Sequence, residues 1–150
     1  MNSKRHALVT GANKGIGLAI AKGLAQAGMR VWLGARDRAR GEAAAGELQA
    51  LGLDVRFLEI DVADDASVQR AAETVGRETD ALHVLVNNAG VIIDAGTPPS
   101  LIHLDNVKAT FEVNCFGPIR VTQKFIPLLK SATDARVVMI TPFDQSSVNA

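Results

Sequence analysis

The sequence has no tyrosine among its 150 residues, a single tryptophan and a single cysteine, and aromatic residues make up only 4% of it. Without tyrosine, no phenol within this polypeptide can serve as a general acid or base. Cys115 cannot close an internal disulfide, which excludes a stapled secreted scaffold. Lys and Arg total 16 against 16 Asp and Glu, so no bulk field draws the chain to nucleic acid or an acidic membrane. The scarcity of aromatics argues against a base-stacking platform. No apolar run approaches the length of a membrane span, and Lys4-Arg5-His6 leads into a short strand without a signal-peptide core. These absences predict a cytoplasmic protein with no metal site, no nucleic-acid partner and no membrane partner.

What is present is alanine and glycine, in a chain of 15.8 kDa sized for one domain. The stretch that organises it is Thr10 to Gly17, between the apolar Ala7-Leu8-Val9 and a helical pattern from Ile16 to Ala27. Gly11 permits a tight turn out of a strand, Gly15 lets bare backbone approach a pyrophosphate, and Gly17 lets the helix pack closely on a sheet. Asn13, Lys14 and Ile16 complete the turn, and the unpaired N–H groups of the helix start face an anion. A glycine trio alone is a weak signal, because strand-to-helix loops use glycine for turns anyway.

The rest of the chain alternates. Arg30 to Gly34 reads as a second strand, Ala39 to Leu51 as a second helix, and Val55 to Ile60 as a third strand. Asp64 or Asp65 caps a helix running to about Thr79, and Leu82 to Val86 is a fourth strand without polar alternation, as expected when both faces are covered. A long helical stretch from about Leu104 to Leu129 carries Gly117, Pro118 and Pro127, which predicts a bend near Asn114 to Pro118. Arg136 to Ile140 is a fifth strand. The pattern implies an α/β fold, a doubly wound parallel sheet with helices on both faces and right-handed crossovers. The strand order expected for it is the Rossmann-type 3-2-1-4-5. The domain expected is a single one over residues 1–150.

In such a sheet, ligands bind beyond the carboxyl ends of the strands, where the strand order reverses. The turn at Gly11 and the turn at Asn87-Asn88-Ala89-Gly90 would then line one crevice, with Asn88, Ala89 and Gly90 leaving room for a flat ligand. At the end of the second strand, a carboxylate would bond the ribose 2′-hydroxyl of NAD, whereas a 2′-phosphate needs cations. Gly34-Ala35-Arg36-Asp37 puts alanine where the acid would be and Arg36 just after it, and Lys14 can add a second charge. NADP(H) is the expected cofactor. The alternative reading is that Arg36, Arg38 and Arg40 are solvated residues at a helix start. Asp61-Val62 at the end of the third strand can place a carboxylate against the adenine amino group and an apolar residue beside its ring. An Asp in that place also serves simply as a helix-entry residue.

The combination of TGxxxGxG at Thr10 to Gly17, Asp61-Val62, Asn87-Asn88-Ala89-Gly90 and Asn114 resembles the short-chain dehydrogenases/reductases in their shorter-chain form, over nearly the whole chain. Gly11-Ala12-Asn13-Lys14-Gly15-Ile16-Gly17 and Gly34-Ala35-Arg36-Asp37 are similar to the NADPH-dependent carbonyl-reductase group in particular. The resemblance implies hydride transfer between a nicotinamide and a small carbonyl or alcohol substrate. It implies a catalytic tyrosine, a lysine four residues on that lowers its pKa, a serine that polarises the carbonyl, and an asparagine supporting a proton-relay water. Asn114 matches the asparagine. It can equally satisfy the broken helix ladder at the bend.

The pattern then breaks. Read without gaps, the serine pair that follows the fifth strand in the family falls on Thr141 and Pro142, and the tyrosine is missing. Pro142 to Ala150 resembles the segment shortly before that tyrosine, so residues are expected to be absent between Ile140 and Thr141, with the chain stopping short of Tyr-x-x-x-Lys. A drifted tail stays open as the alternative. Ser146 and Ser147 are not catalysts merely for being serines. The expectation is an NADP(H)-dependent oxidoreductase represented by its cofactor half, the 150 residues themselves being inactive, with the fifth strand a candidate exposed edge. The competing reading is a catalytically inactive dinucleotide-binding or interaction protein of the same fold. Relatives of this kind include monomers and homo-oligomers built on the long helix, which leaves the oligomeric state open. The substrate would be shaped in part by the loop from Val91 to Ser100.

Overall fold

The computed structural model describes residues 4–141. Five parallel strands, β1 (His6–Val9), β2 (Arg30–Ala35), β3 (Val55–Glu59), β4 (Val84–Asn87) and β5 (Arg136–Met139), form one sheet of order β3-β2-β1-β4-β5. The helices α1 (Gly15–Gln26), α2 (Arg38–Ala50), α3 (Asp65–Glu78), α4 (Leu104–Phe111) and α5 (Gly117–Lys130) connect them, with a short 3-10 turn at Pro99–Leu101. The expected architecture and strand order are those observed, and element ends fall within two residues of the sequence reading.

Side chains along a strand alternate between faces, and two apolar layers follow. Ala7, Val9, Val31 and Leu33 pack beneath Ala21 and Ala25 of α1 and Ala44, Ala45 and Leu48 of α2. Leu8, Trp32, Leu58 and Leu85 face the opposite way, against Val68, Ala71 and Val75 of α3 and Val121, Phe125 and Leu129 of α5. The alanines let α1 and α2 approach closely. Asp37 caps α2 by accepting from the Arg40 N–H at 2.9 Å, and Asp64 caps α3 by accepting from the Ala66 N–H at 3.0 Å.

The bend expected in the long helical stretch is a π-helical turn, Glu112–Phe116, between α4 and α5. Pro118 follows that widened turn directly, in the first turn of α5. Strand four begins at Val84 because Leu82, fully buried, gives its N–H to the Leu128 carbonyl at 2.9 Å instead of to the sheet. β5 pairs with β4 on one side, and all four of its residues are exposed. No helix among the described residues is long and apolar enough to cross a membrane. The expectations placed on Pro142 to Ala150, including Ser146 and Ser147, lie outside the described residues.

Candidate functional site

A cleft of about 480 Å³ opens at the carboxyl ends of the strands, where the order reverses between β1 and β4. Its floor is a clamp between two turns that are far apart in sequence. Thr10, 1% exposed, accepts at Oγ1 from the backbone N–H groups of Asn88 and Ala89, both at 3.0 Å. In return the Asn88 Nδ2 donates to the carbonyls of Thr10 at 3.2 Å and Gly11 at 3.0 Å. Gly11 has φ +59°, and a Cβ there would stand 2.7 Å from the Ala89 Cα. A side chain at Gly11 would therefore force the two turns apart.

Gly15 also has φ +59°, but a Cβ there would meet nothing within 4 Å. Its bareness serves open space in the cleft, not packing. Lys14 stands at the N-cap of α1 with no side-chain cap bond, so no side chain of its own occupies the helix start. Asn13, Lys14, Gly15 and Ile16 line this wall, and Ile16 is 66% exposed. Gly17 does not line the cleft: a Cβ there would come within 2.4 Å of Asn88 Nδ2, so its role is to seat α1 on the clamp.

At the end of β2 the three arginines separate. Arg38 is bound to Glu59 at 2.7 Å and to Glu42 at 3.3 Å, with its guanidinium carbon 5.9 Å from the Phe57 ring centre. Arg36 and Arg40, in contrast, line the cleft beside the buried Ala35. The carboxylate of Asp37 is engaged in capping α2.

The far wall comes from the end of β3 and from the π-helical turn. Ile60, Asp61 and Val62 line it together with Val113. Asp61 is held by its N–H bond to Ser67 Oγ at 2.8 Å and by accepting the Ala63 N–H at 3.0 Å, so it serves the entry to α3 as well as facing the cleft. Ala89, Gly90 and Val91 close the side beneath.

Asn114 does not line the cleft. Its side chain forms a two-way amide pair with Val91, accepting from the Val91 N–H at 2.8 Å and donating to the Val91 carbonyl at 2.7 Å. It anchors the start of the loop after β4, and the Asn106 bond to Asp94 at 2.7 Å pins that loop again. Thus eleven of the thirteen predicted residues meet at one cleft, while Gly17 and Asn114 stand behind it as supports.

Three residues went unassigned from sequence. Thr10 opens the glycine motif in sequence and is the clamp in the structure, and a hydroxyl at a strand end before a glycine turn is its local signal. Arg40 reads in sequence as a solvated charge at a helix start, yet it lines the cleft with Arg36. Arg120 on α5 gave no signal. Its guanidinium bonds the Asp65 carboxylate, the Glu112 carboxylate and, at 2.7 Å, the Val62 carbonyl.

Fold and cleft place the molecule among doubly wound α/β proteins with a ligand crevice at the switch point. The sequence model of the short chain dehydrogenase family matches residues 5–145, and the chain belongs to that family. It is 42% identical over 138 residues to carbonyl reductase (NADPH) 1 of Macaca fascicularis, covering 91% of this chain and 48% of the relative. With (+)-neomenthol dehydrogenase of Arabidopsis thaliana it shares 37% identity over 157 residues, covering 91% and 53%. A metagenomic short-chain oxidoreductase solved in complex with NADP superposes with a TM-score of 0.85 at 31% identity, covering 93% of this chain and 63% of that one. The chain spans about half the length of the curated relatives it matches.

Proposed function

We propose that the chain is the cofactor-binding part of an NADP(H)-dependent oxidoreductase acting on a small carbonyl or alcohol substrate. The observation that carries this reading is the sorting of the arginines: Arg38 is engaged by Glu59, whereas Arg36 and Arg40 line the cleft beside Ala35, where a carboxylate would repel a 2′-phosphate. The donors fit the group. Arg36, Arg40 and Lys14 form a cationic rim for the phosphate, and the open backbone at Gly15 and the uncapped start of α1 suit the pyrophosphate. Val62 and Val113 offer an apolar slot for the adenine, with Asp61 at its edge. The names of the NADPH-linked carbonyl reductase and of the NADP-bound oxidoreductase support the same choice.

When bound, NADPH supplies the hydride. Asn114, by pairing with Val91, holds the loop that would face the nicotinamide end. It is a positioning residue in this reading. Reduction of a carbonyl leaves an alkoxide that needs a proton, and a chain with no tyrosine has no phenol to give it. The 150-residue polypeptide therefore binds cofactor without turnover.

Calorimetric titration with NADPH and NADH tests the reading. NADPH binds more tightly, and Arg36→Ala removes about 1.5–3 kcal/mol of NADPH binding while leaving NADH little changed. Equal affinity for the two cofactors overturns the assignment. Steady oxidation of NADPH by the 150-residue chain with a panel of aldehydes and ketones would overturn the predicted inactivity.

A further inference from the structure

We infer that Arg120 is a positioning residue that sets the width of the adenine slot, a role resting on the NADP(H) reading above. The slot has two walls from different parts of the chain. Val62 follows β3, and Val113 lies in the π-helical turn. Arg120 grips both. One arm of its guanidinium donates to the Val62 carbonyl at 2.7 Å, and another bonds Glu112, the residue before Val113. Its Nε bonds Asp65 in the first turn of α3, which fixes the loop carrying Val62 from the other side.

The side chains reinforce this arrangement. Val62 is pressed against Gly117 at the start of α5, where an added Cβ would lie 2.8 Å from its Cγ2. The Arg120 side chain is only 16% exposed, whereas its partners Asp65 and Glu112 are 79% and 42% exposed. The carboxylates thus reach in from solvent to a guanidinium held in place, and losing the guanidinium strands neither of them in a buried site. What is lost is the tie across the slot. A planar fork with several fixed donors can serve three acceptors at once, and a lysine ammonium on a flexible stem cannot reproduce that geometry.

The test is calorimetric titration of the chain and its variants with NADPH and with adenosine 2′,5′-bisphosphate, which carries the adenine half alone. Arg120→Met should weaken both about tenfold, and Arg120→Lys should recover only part of that loss. Leu129→Ala, a buried position on the same helix away from the cleft, should lower Tm yet leave both affinities unchanged. If Arg120→Met binds both ligands as the parent does, or if Leu129→Ala weakens them equally, the positioning role is overturned. Should Arg120→Met fail to fold by circular dichroism, Glu112→Gln, which loosens only the Val113 side, carries the test. A loss of about threefold supports the role and unchanged affinity overturns it. Failure of the parent chain itself to bind NADPH overturns the NADP(H) reading, an outcome distinct from parent binding with an indifferent Arg120.

Discussion

Strands β1 and β5 flank β4 on either side, run parallel to it, and are both apolar at most of their positions, yet they end in opposite surroundings. All four residues of β1 are buried, while all four of β5 are exposed, with Val137, Val138 and Met139 at 45%, 41% and 54%. β1 has a paired strand on each edge and helices on both faces, with α1 bridging back to β2. β5 has only β4 for a neighbour among the described residues. Hydropathy marked both as strands, but burial came from neighbours, not from the strand's own composition. The β1, β2 and β3 side carries the arginines and most of the cleft lining, while the clamp is shared between the ends of β1 and β4.

The largest effect that would break this comparison is a matched pair of truncations. Leu8→Ala on β1 should cost about 3 kcal/mol, because a fully buried leucine leaves a cavity. Val138→Ala on β5 should cost less than about 0.5 kcal/mol. Urea unfolding followed by circular dichroism measures both, and equal losses would mean that β5 is covered in solution.

Next in size is the clamp that joins β1 to β4. Thr10→Val keeps the shape and removes the acceptor shared by the Asn88 and Ala89 N–H groups, which should cost about 2 kcal/mol of stability. It should also weaken NADPH binding, because the Gly11 and Ala89 turns would separate. A variant as stable as the parent and with parental affinity would show that the hydroxyl is dispensable.

The smallest effect lies at the opposite end of β1, away from the cleft. His6 Nδ1 accepts from the Trp32 indole N–H at 3.3 Å, and His83 Nδ1 accepts from the His6 backbone N–H at 3.1 Å. Burial, with Arg30, His83 and Arg56 nearby and only Asp54 opposing, pushes the His6 pKa down. Burial and Arg5 do the same at His83. Both imidazoles are therefore neutral in the fold, and the unfolded chain takes up protons first as pH falls. Their contribution is full above about pH 6.5 and is lost progressively below it. His6→Asn with His83→Asn keeps an acceptor near each Nδ1 and should flatten the fall of Tm between about pH 7.5 and 5.5. An unaltered slope would place the acid sensitivity elsewhere.

Much of the molecule was legible in the residues. The parallel sheet follows from the alternation of strand and helix patterns, whereas the order 3-2-1-4-5 rests on the Rossmann type expected for it, because alternation also fits other doubly wound orders. Gly11, the turn glycine of the sequence reading, has the positive φ such a turn requires, and Gly15, assigned to a close backbone approach, shares that φ with open space beside it. Gly17 reads as a packing glycine in sequence, and its close partners are Asn88 of the clamp and the Gly11-Ala12 backbone. Where proline predicts a bend before Pro118, the structure has a π-helical turn, a feature with no distinct composition in sequence. Arg36 is legible from its place just after the second strand, but Arg40 is not separable from Arg38 in sequence, since that distinction depends on Glu59 of β3 taking Arg38 out of play.

By itself the sequence determined the parallel α/β class, the glycine turn at the switch point and the absence of any phenol, because periodicity, glycine placement and composition are properties of the chain alone. Tertiary structure alone decided that Thr10 joins the turns, that Arg36 and Arg40 face the cleft while Arg38 does not, and that Arg120 ties Val62 to the Val113 turn. Each of these depends on which distant residue arrives within hydrogen-bond reach, and for Thr10 and Arg120 those partners lie 78 and 58 positions away.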